Sequence, residues 1–327
     1  MRRRSPVFAL FFLAPLVGEF FLGDFPITLL PLLFVFAPMY GGAAVVIREV
    51  ARRTGRGWPT IMMLALAYGV VEEGMITQSF FNKGYLDEHL LDPGYIPALG
   101  TALPWVTFVT TLHTVWSISV PIALVEQSSA RRTEPWLGRL GLTVAGVLMV
   151  AGGLAIFNTT RTDPSLSHGF LESAGQAIAI AVLALVIVVV AFLLPRPAAG
   201  RPGPVPRPGV VFAVGIAGGV LFESVTFGDV PTWAGVAAMV VAIAGTLGLV
   251  AFWARRAAWG PWHRFAIIAA GLLTYSWHTF FADDKFAWIS LISHIIYALA
   301  ALAILWYVAR RTRALTPAPD AELQPAV

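Results

Sequence analysis

Two adjacent glutamates, Glu72 and Glu73, interrupt one apolar run of this chain, and a histidine, His113, interrupts the next. Carboxylate oxygens and imidazole nitrogens together can hold a divalent metal such as zinc, pass protons, or activate water for hydrolysis. Glu19, Glu223, His278 and His294 interrupt further apolar runs. An ionisable group at the centre of a bilayer costs several kcal/mol, so each of the seven is a candidate for function. Polar neighbours recur on matching helical faces. Thr110, His113 and Ser117 stand at i, i+3 and i+7, as do Ser290, His294 and Tyr297, and Tyr275 precedes His278 by three. On an α-helix Glu72 and Glu73 point about 100° apart. Glu73 then shares a face with Gly69 and Thr77, and Glu72 shares the next with Tyr68. Glu72, Glu73 and His113 are the candidates for acid–base chemistry, and Glu73, His113, His278 and His294 for a metal. Glu19, Glu223, Thr110, Ser117 and Tyr275 are expected to line the same cavity.

Each of these residues also has a plainer reading. Glu19 and Glu223 can serve the turns that follow them, and buried histidines can bond helix to helix. Asp87-Glu88-His89 with Asp92 reads as a solvated loop. Arg48-Glu49 and Glu126 read as interfacial anchors at the inner face, where charge is cheap.

The elements that must position these groups are membrane helices. Residues are 57% hydrophobic and 12% charged, and mean hydropathy is +0.76, whereas a soluble domain carries about a quarter charged residues. Apolar runs long enough to span a bilayer recur throughout, and each must be helical because lipid offers nothing to bond a free backbone group. The spans are expected at 6–23, 27–47, 59–81, 101–126, 139–158, 173–195, 210–228, 232–253, 265–282 and 286–308, about ten in all. Met1-Arg2-Arg3-Arg4 opens a retained first helix rather than a cleaved leader, because Glu19 interrupts the run and no small-x-small cleavage pattern follows it. The chain has no cysteine, which excludes disulfides, thiolate metal sites and cysteine nucleophiles.

With the N-terminus inside, alternate loops and both ends hold all but three of the 22 basic residues; Lys83, Arg161 and Lys285 alone lie outside. That bias is the positive-inside pattern, with both termini cytoplasmic in the cell membrane. It accounts for the net charge of +4 without a nucleic acid. The lipid bilayer and a small molecule, ion or lipid are the expected partners.

The chain also echoes itself. Val7-Phe8-Ala9 leads to Glu19 as Val211-Phe212-Ala213 leads to Glu223, and Gly23-Asp24-Phe25-Pro26 matches Gly228-Asp229-Val230-Pro231. Arg52-Arg53 with Trp58 matches Arg255-Arg256 with Trp262, and His113 answers to His294. Helices 1–4 (1–126) and 7–10 (210–313) are read as parallel repeats, an arrangement that in transporters places the site between the halves. Residues 127–209 supply two connecting helices and a Pro/Gly-rich linker, and 314–327 a disordered cytoplasmic tail.

An in-membrane Glu72-Glu73 pair followed by His113 resembles the CAAX-type intramembrane glutamic proteases, although Thr77 stands where that family's Glu-Glu-x-x-x-Arg motif has arginine. Phe108 and His113 are one residue too far apart for its Phe-x-x-x-His. That resemblance implies hydrolysis. Tyr40-Gly41-Gly42, Arg48-Glu49, Gly57-Trp58, Ala67-Tyr68-Gly69, Glu72-Glu73-Gly74 and Ser79-Phe80-Phe81 resemble a group of uncharacterised prokaryotic multi-pass proteins, which implies no activity. Three readings follow: an ion-coupled permease for a cation or small solute, an intramembrane hydrolase, and a non-catalytic scaffold. No Walker-type glycine loop is present for direct ATP hydrolysis.

Overall fold

The computed structural model describes residues 5–226, 230–281 and 288–316. Arg2 to Arg4, Gly228-Asp229 of the repeat motif, Lys285 and the tail from 317 lie outside the described residues. α1 (Ser5–Pro15) continues into a π turn, Leu16–Phe20, and a 3-10 turn, Ile27–Leu32, leads into α2 (Leu33–Arg53). α3 (Trp58–Val71) continues into a second π turn, Glu72–Ile76. α4 (Leu103–Leu112), a third π turn (His113–Ser119) and α5 (Val120–Ser128) form one continuous helix. α6 (Arg139–Thr162), a short α7 (Pro164–Ser167) and α8 (Ala174–Leu193) precede the second half. That half holds α9 (Pro208–Glu223), α10 (Thr232–Ala254), α11 (Pro261–His278) and α12 (Trp288–Leu315). Prolines open α3, α4, α9 and α11, where the missing N–H costs nothing and the fixed φ suits a helix.

Among the described residues, eight helices are long and apolar enough to cross a bilayer. Ser5–Phe20 is a shorter apolar helix, and α11 opens on Pro261-Trp262-His263-Arg264, which dilutes its apolar character. The fold is all-α and polytopic. The helix running from Leu103 to Ser128 is its axis: its most apolar window is 78% buried, against 17% for α6 and for α10. It packs on α1, α2 and α3 to one side and on α10, α11 and α12 to the other. α6 lies outside on α2, and α8 outside on α3. Their outer faces expose Leu140, Val147, Leu154, Leu185 and Leu193. An apolar surface this extensive suits hydrocarbon and would be a liability in water.

Loops that share a charge bias also share an end of the molecule. At the basic end, Arg56 donates to the Leu194 carbonyl (2.6 Å), Arg311 to that of Ser128 (3.2 Å), and Arg53 to that of Leu137. The linker is tied down there too, by bonds from Arg201 N to the Arg255 carbonyl (2.8 Å) and from Ala257 N to the Arg201 carbonyl (2.9 Å). At the opposite end, a two-stranded hairpin pairs β1 (Tyr95–Ile96) with β2 (Thr101–Ala102) in a cap over the axis. Asn82 Nδ2 donates to the Ser167 carbonyl (3.0 Å), and His168 Nε2 meets Asp87 Oδ1 at 2.7 Å. His89 and Asp92 form an exposed pair 3.4 Å apart, as befits a solvated loop.

The charges read as interfacial anchors are instead buried. Arg48 and Glu49 are fully enclosed and paired at 2.6 Å, and Arg48 Nε reaches Glu126 at 3.0 Å. Arg52 holds the other oxygen of Glu126 at 2.5 Å, and the Arg48 guanidinium lies 3.4 Å from the centroid of the Trp136 ring. Glu49 also accepts from the backbone N–H groups of Trp136 (2.9 Å) and Leu137 (3.1 Å). The loop 129–138 folds back over α2 and α5 and seals them in, which the span boundaries alone did not reveal. Breaking a buried pair by removing one partner costs about 3–5 kcal/mol, because the other charge stays behind. Glu49→Leu is therefore expected to lower the unfolding midpoint in detergent sharply, while Glu134→Leu, an exposed pair partner of Arg131, leaves it nearly unchanged.

Candidate functional site

Three helices of the first half each widen into a π turn, and the three turns carry Glu19, the Glu72-Glu73 pair, and His113 with Ser117. The i→i+5 bonds that define the turns include Phe21 N to the Leu16 carbonyl and Thr77 N to the Glu72 carbonyl, both 2.9 Å. Single π turns inside α-helices recur at functional sites, where the wider turn redirects side chains. Close approach brings the turns together. A Cβ on Gly18 would stand 2.8 Å from Ser117 Oγ, and one on Gly69 would stand 3.0 Å from His113 Cβ.

At the meeting point the His113 ring lies between two carboxylates. Its Nε2 is 2.8 Å from Glu73 Oε1, and its Nδ1 is 3.2 Å from both Glu72 Oε2 and Ser117 Oγ. Adjacent glutamates that a helical wheel sends apart thus reach one residue, because the widened turn and the two-sided ring accommodate both. All three are buried. One donor atom from each falls within 4.8 Å of the others, close enough for a shared metal ion.

The two glutamates differ in their partners. Glu73 is well supplied: besides His113, its Oε2 accepts from Thr77 Oγ1 (3.1 Å) and from Ser79 Oγ. Ser79 is in turn fixed by Trp105 Nε1 at 2.9 Å. Gln78 makes this possible by adopting φ 62°, a left-handed conformation that ends the helix and folds Ser79 back over Glu73. For a residue other than glycine such strain costs about 1–3 kcal/mol. Glu72 is held less firmly: the Tyr40 and Tyr68 hydroxyls approach its carboxylate, but neither makes a well-formed hydrogen bond to it. Tyr40 stacks on the His113 ring with centroids 6.0 Å apart and turns its hydroxyl toward Glu19 and Glu72. Asp24 and Tyr85 stand within electrostatic reach of the same carboxylates.

The other expected residues fall elsewhere. Glu223 Oε2 and His278 Nδ1 lie 3.0 Å apart in the second half, both buried. Tyr275 stacks face to face on Trp116 at 4.8 Å, and Trp116 lies in the same π turn as His113. His294 packs beside Phe280 and close to the bare face of Gly23. Thr110 bonds the Val106 carbonyl of its own helix at 2.6 Å, so its hydroxyl is spent locally. The structure therefore joins Glu72, Glu73, His113, Ser117 and Glu19, and pairs Glu223 with His278, with Tyr275 in electrostatic reach of both Glu223 and Glu19. Sequence reasoning missed Tyr40, Ser79, Trp105 and Asp24. A serine six residues beyond Glu73 lies outside any helical face, and only the turn at Gln78 returns it.

No curated protein and no solved structure matches the chain. A family model does match, across residues 8–318, which include every residue of both acid–imidazole groups. The chain belongs to that family, an uncharacterised family of membrane proteins.

Proposed function

We propose that the protein is a permease of the cell membrane, with both termini cytoplasmic, that binds a cation or exchanges protons at the Glu72–Glu73–His113 cluster. The observation that supports it is an imbalance of charge. Glu72, Glu73 and nearby Glu19 face a single imidazole, within a protein interior that offers Glu72 tyrosine hydroxyls rather than a second cation. Buried charge is stable only when paired, so a bound cation or added protons complete the site. A site that must be completed from outside suits transport. The two halves support the reading as well: Glu19 and Glu223 hold equivalent places in the proposed repeat, and each faces an imidazole of its own half.

A second reading, an intramembrane hydrolase, draws on the 2.8 Å contact between Glu73 and His113. A carboxylate and an imidazole at that distance can activate water.

Sealed proteoliposomes loaded with a pH indicator separate the two. Gradients of sodium, potassium, magnesium, manganese or zinc, imposed one at a time, are expected to drive proton or metal flux through the wild type. Glu73→Gln and Glu72→Gln should abolish that flux at an unchanged unfolding midpoint. Turnover of peptide or lipid ester in detergent, without flux in liposomes, would transfer the assignment to hydrolysis. Orientation is checked separately, because the chain contains no cysteine to interfere. A cysteine replacing exposed Glu88 should react with an impermeant maleimide on whole cells, and one replacing exposed Gly138 only after permeabilisation. The opposite pattern would invert the topology.

A further inference from the structure

The partners of the two glutamates divide the labour between them. Glu73 accepts from three side chains, His113, Thr77 and Ser79, so its hydrogen-bonding capacity is largely used. Glu72 is fully buried and aimed at the same ring, and the Tyr40 and Tyr68 hydroxyls beside it make no well-formed hydrogen bond to either of its oxygens. An ionised carboxylate only accepts, so Glu73 fixes the proton of His113 on Nε2. The lone pair of Nδ1 then faces Glu72 Oε2 at 3.2 Å, with Ser117 Oγ at 3.2 Å from the same nitrogen. Two electron-rich atoms this close need a positive charge between them, either a second ring proton on Nδ1 or a metal ion in its place.

We infer that Glu72 and His113 Nδ1 are the inner ligands of a divalent first-row metal ion, zinc or manganese in type, with the Ser117 hydroxyl beside them and Glu73 as the orienting partner. The inference rests on the reading of this cluster as an ion site and names the ion. Three features carry it. First, two donors on one tetrahedral zinc, each at about 2.0–2.1 Å, stand about 3.3 Å apart, close to the separation of Oε2 and Nδ1. Second, a metal-bound histidine usually gives its other N–H to a carboxylate, which sets the tautomer and the tilt of the ring, and Glu73 occupies that place. Third, an imidazole with carboxylates suits zinc, manganese or iron, whereas magnesium and calcium favour oxygen alone. Two carboxylates and a neutral imidazole also match the charge of a divalent ion. The Tyr40 ring stacked on His113 and the Thr77–Ser79 turn hold the geometry in place.

Equilibrium dialysis of chelator-stripped protein in detergent against zinc alone, with the cobalt form followed by its visible spectrum, tests this without requiring transport. Wild type is expected to bind one ion per chain. Glu72→Gln and His113→Gln should each lose it, and the His113 variant should also lose the cobalt–nitrogen signature. Glu73→Gln should still bind, but 10- to 100-fold more weakly, the loss typical of an orienting partner. Glu223→Gln, in the separate pair, should bind like wild type and shows that a buried glutamate can be replaced without loss of the fold. Wild type that binds no metal at any zinc concentration tested overturns the inference, and proton flux in liposomes would then leave the permease reading standing. Metal binding that survives Glu72→Gln but not Glu73→Gln overturns the assignment of ligand and orienting partner. Metal bound as expected, with no flux of any ion, leaves the inference intact and removes the permease.

Discussion

A carboxylate placed among lipid-embedded helices has no water to turn to, and the architecture of this protein follows from where its carboxylates are compensated. Two solutions are visible. Toward the basic end, Glu49 and Glu126 are enclosed by Arg48, Arg52 and Arg53 and by backbone N–H groups, so that every charge has an opposite. Around His113, three glutamates share one imidazole, with hydroxyls in place of cations. The first arrangement is closed and stabilising. The second has fewer positive charges than carboxylates, which is why it is the one proposed as a ligand site.

Bringing that site together requires backbone geometry that ordinary helices lack. α1, α3 and the central axis each give up regular bonding for a π turn at the residues concerned, and α3 ends on a left-handed glutamine. These departures cost free energy, and they persist because the packing around them determines them. The axis pays for itself twice, since the turn that aims His113 at Glu72 and Glu73 also lays Trp116 against Tyr275 of the second half.

Much of this was legible in the sequence, and the reasons for the remainder are physical. Apolar runs predicted helices because lipid leaves the backbone no alternative, and interruptions by Glu72, Glu73 and His113 marked the site because such residues are costly there. The angle between Glu72 and Glu73 was misleading, since a helical wheel assumes 3.6 residues per turn and the pair sits in a wider one. Depth alone suggested a single cavity for all seven ionisable groups. It did not show that Glu223 would pair with His278, because depth carries no information on rotation about the helix axis. Burial of Arg48, Glu49 and Glu126 was not readable either: it depends on the loop 129–138 folding back, and Trp136 in that loop gives no local signal of where it will land.

The central claim is that His113 joins carboxylates from another helix at one buried point. Solid-state NMR on the full chain in bilayers, with Glu73 labelled at its carboxyl carbon and His113 at its ring nitrogens, measures that contact directly. The account predicts a measurable recoupled dipolar interaction from Nε2 to the Glu73 carboxyl, at a separation of about 3.5–4 Å as expected for a hydrogen bond. The coupling should vanish in Glu73→Gln prepared without the carboxyl label. An Nε2 with no coupling to the labelled carboxyl of the wild type would mean that the π turns do not bring the two helices' groups together, and the site as described would not exist.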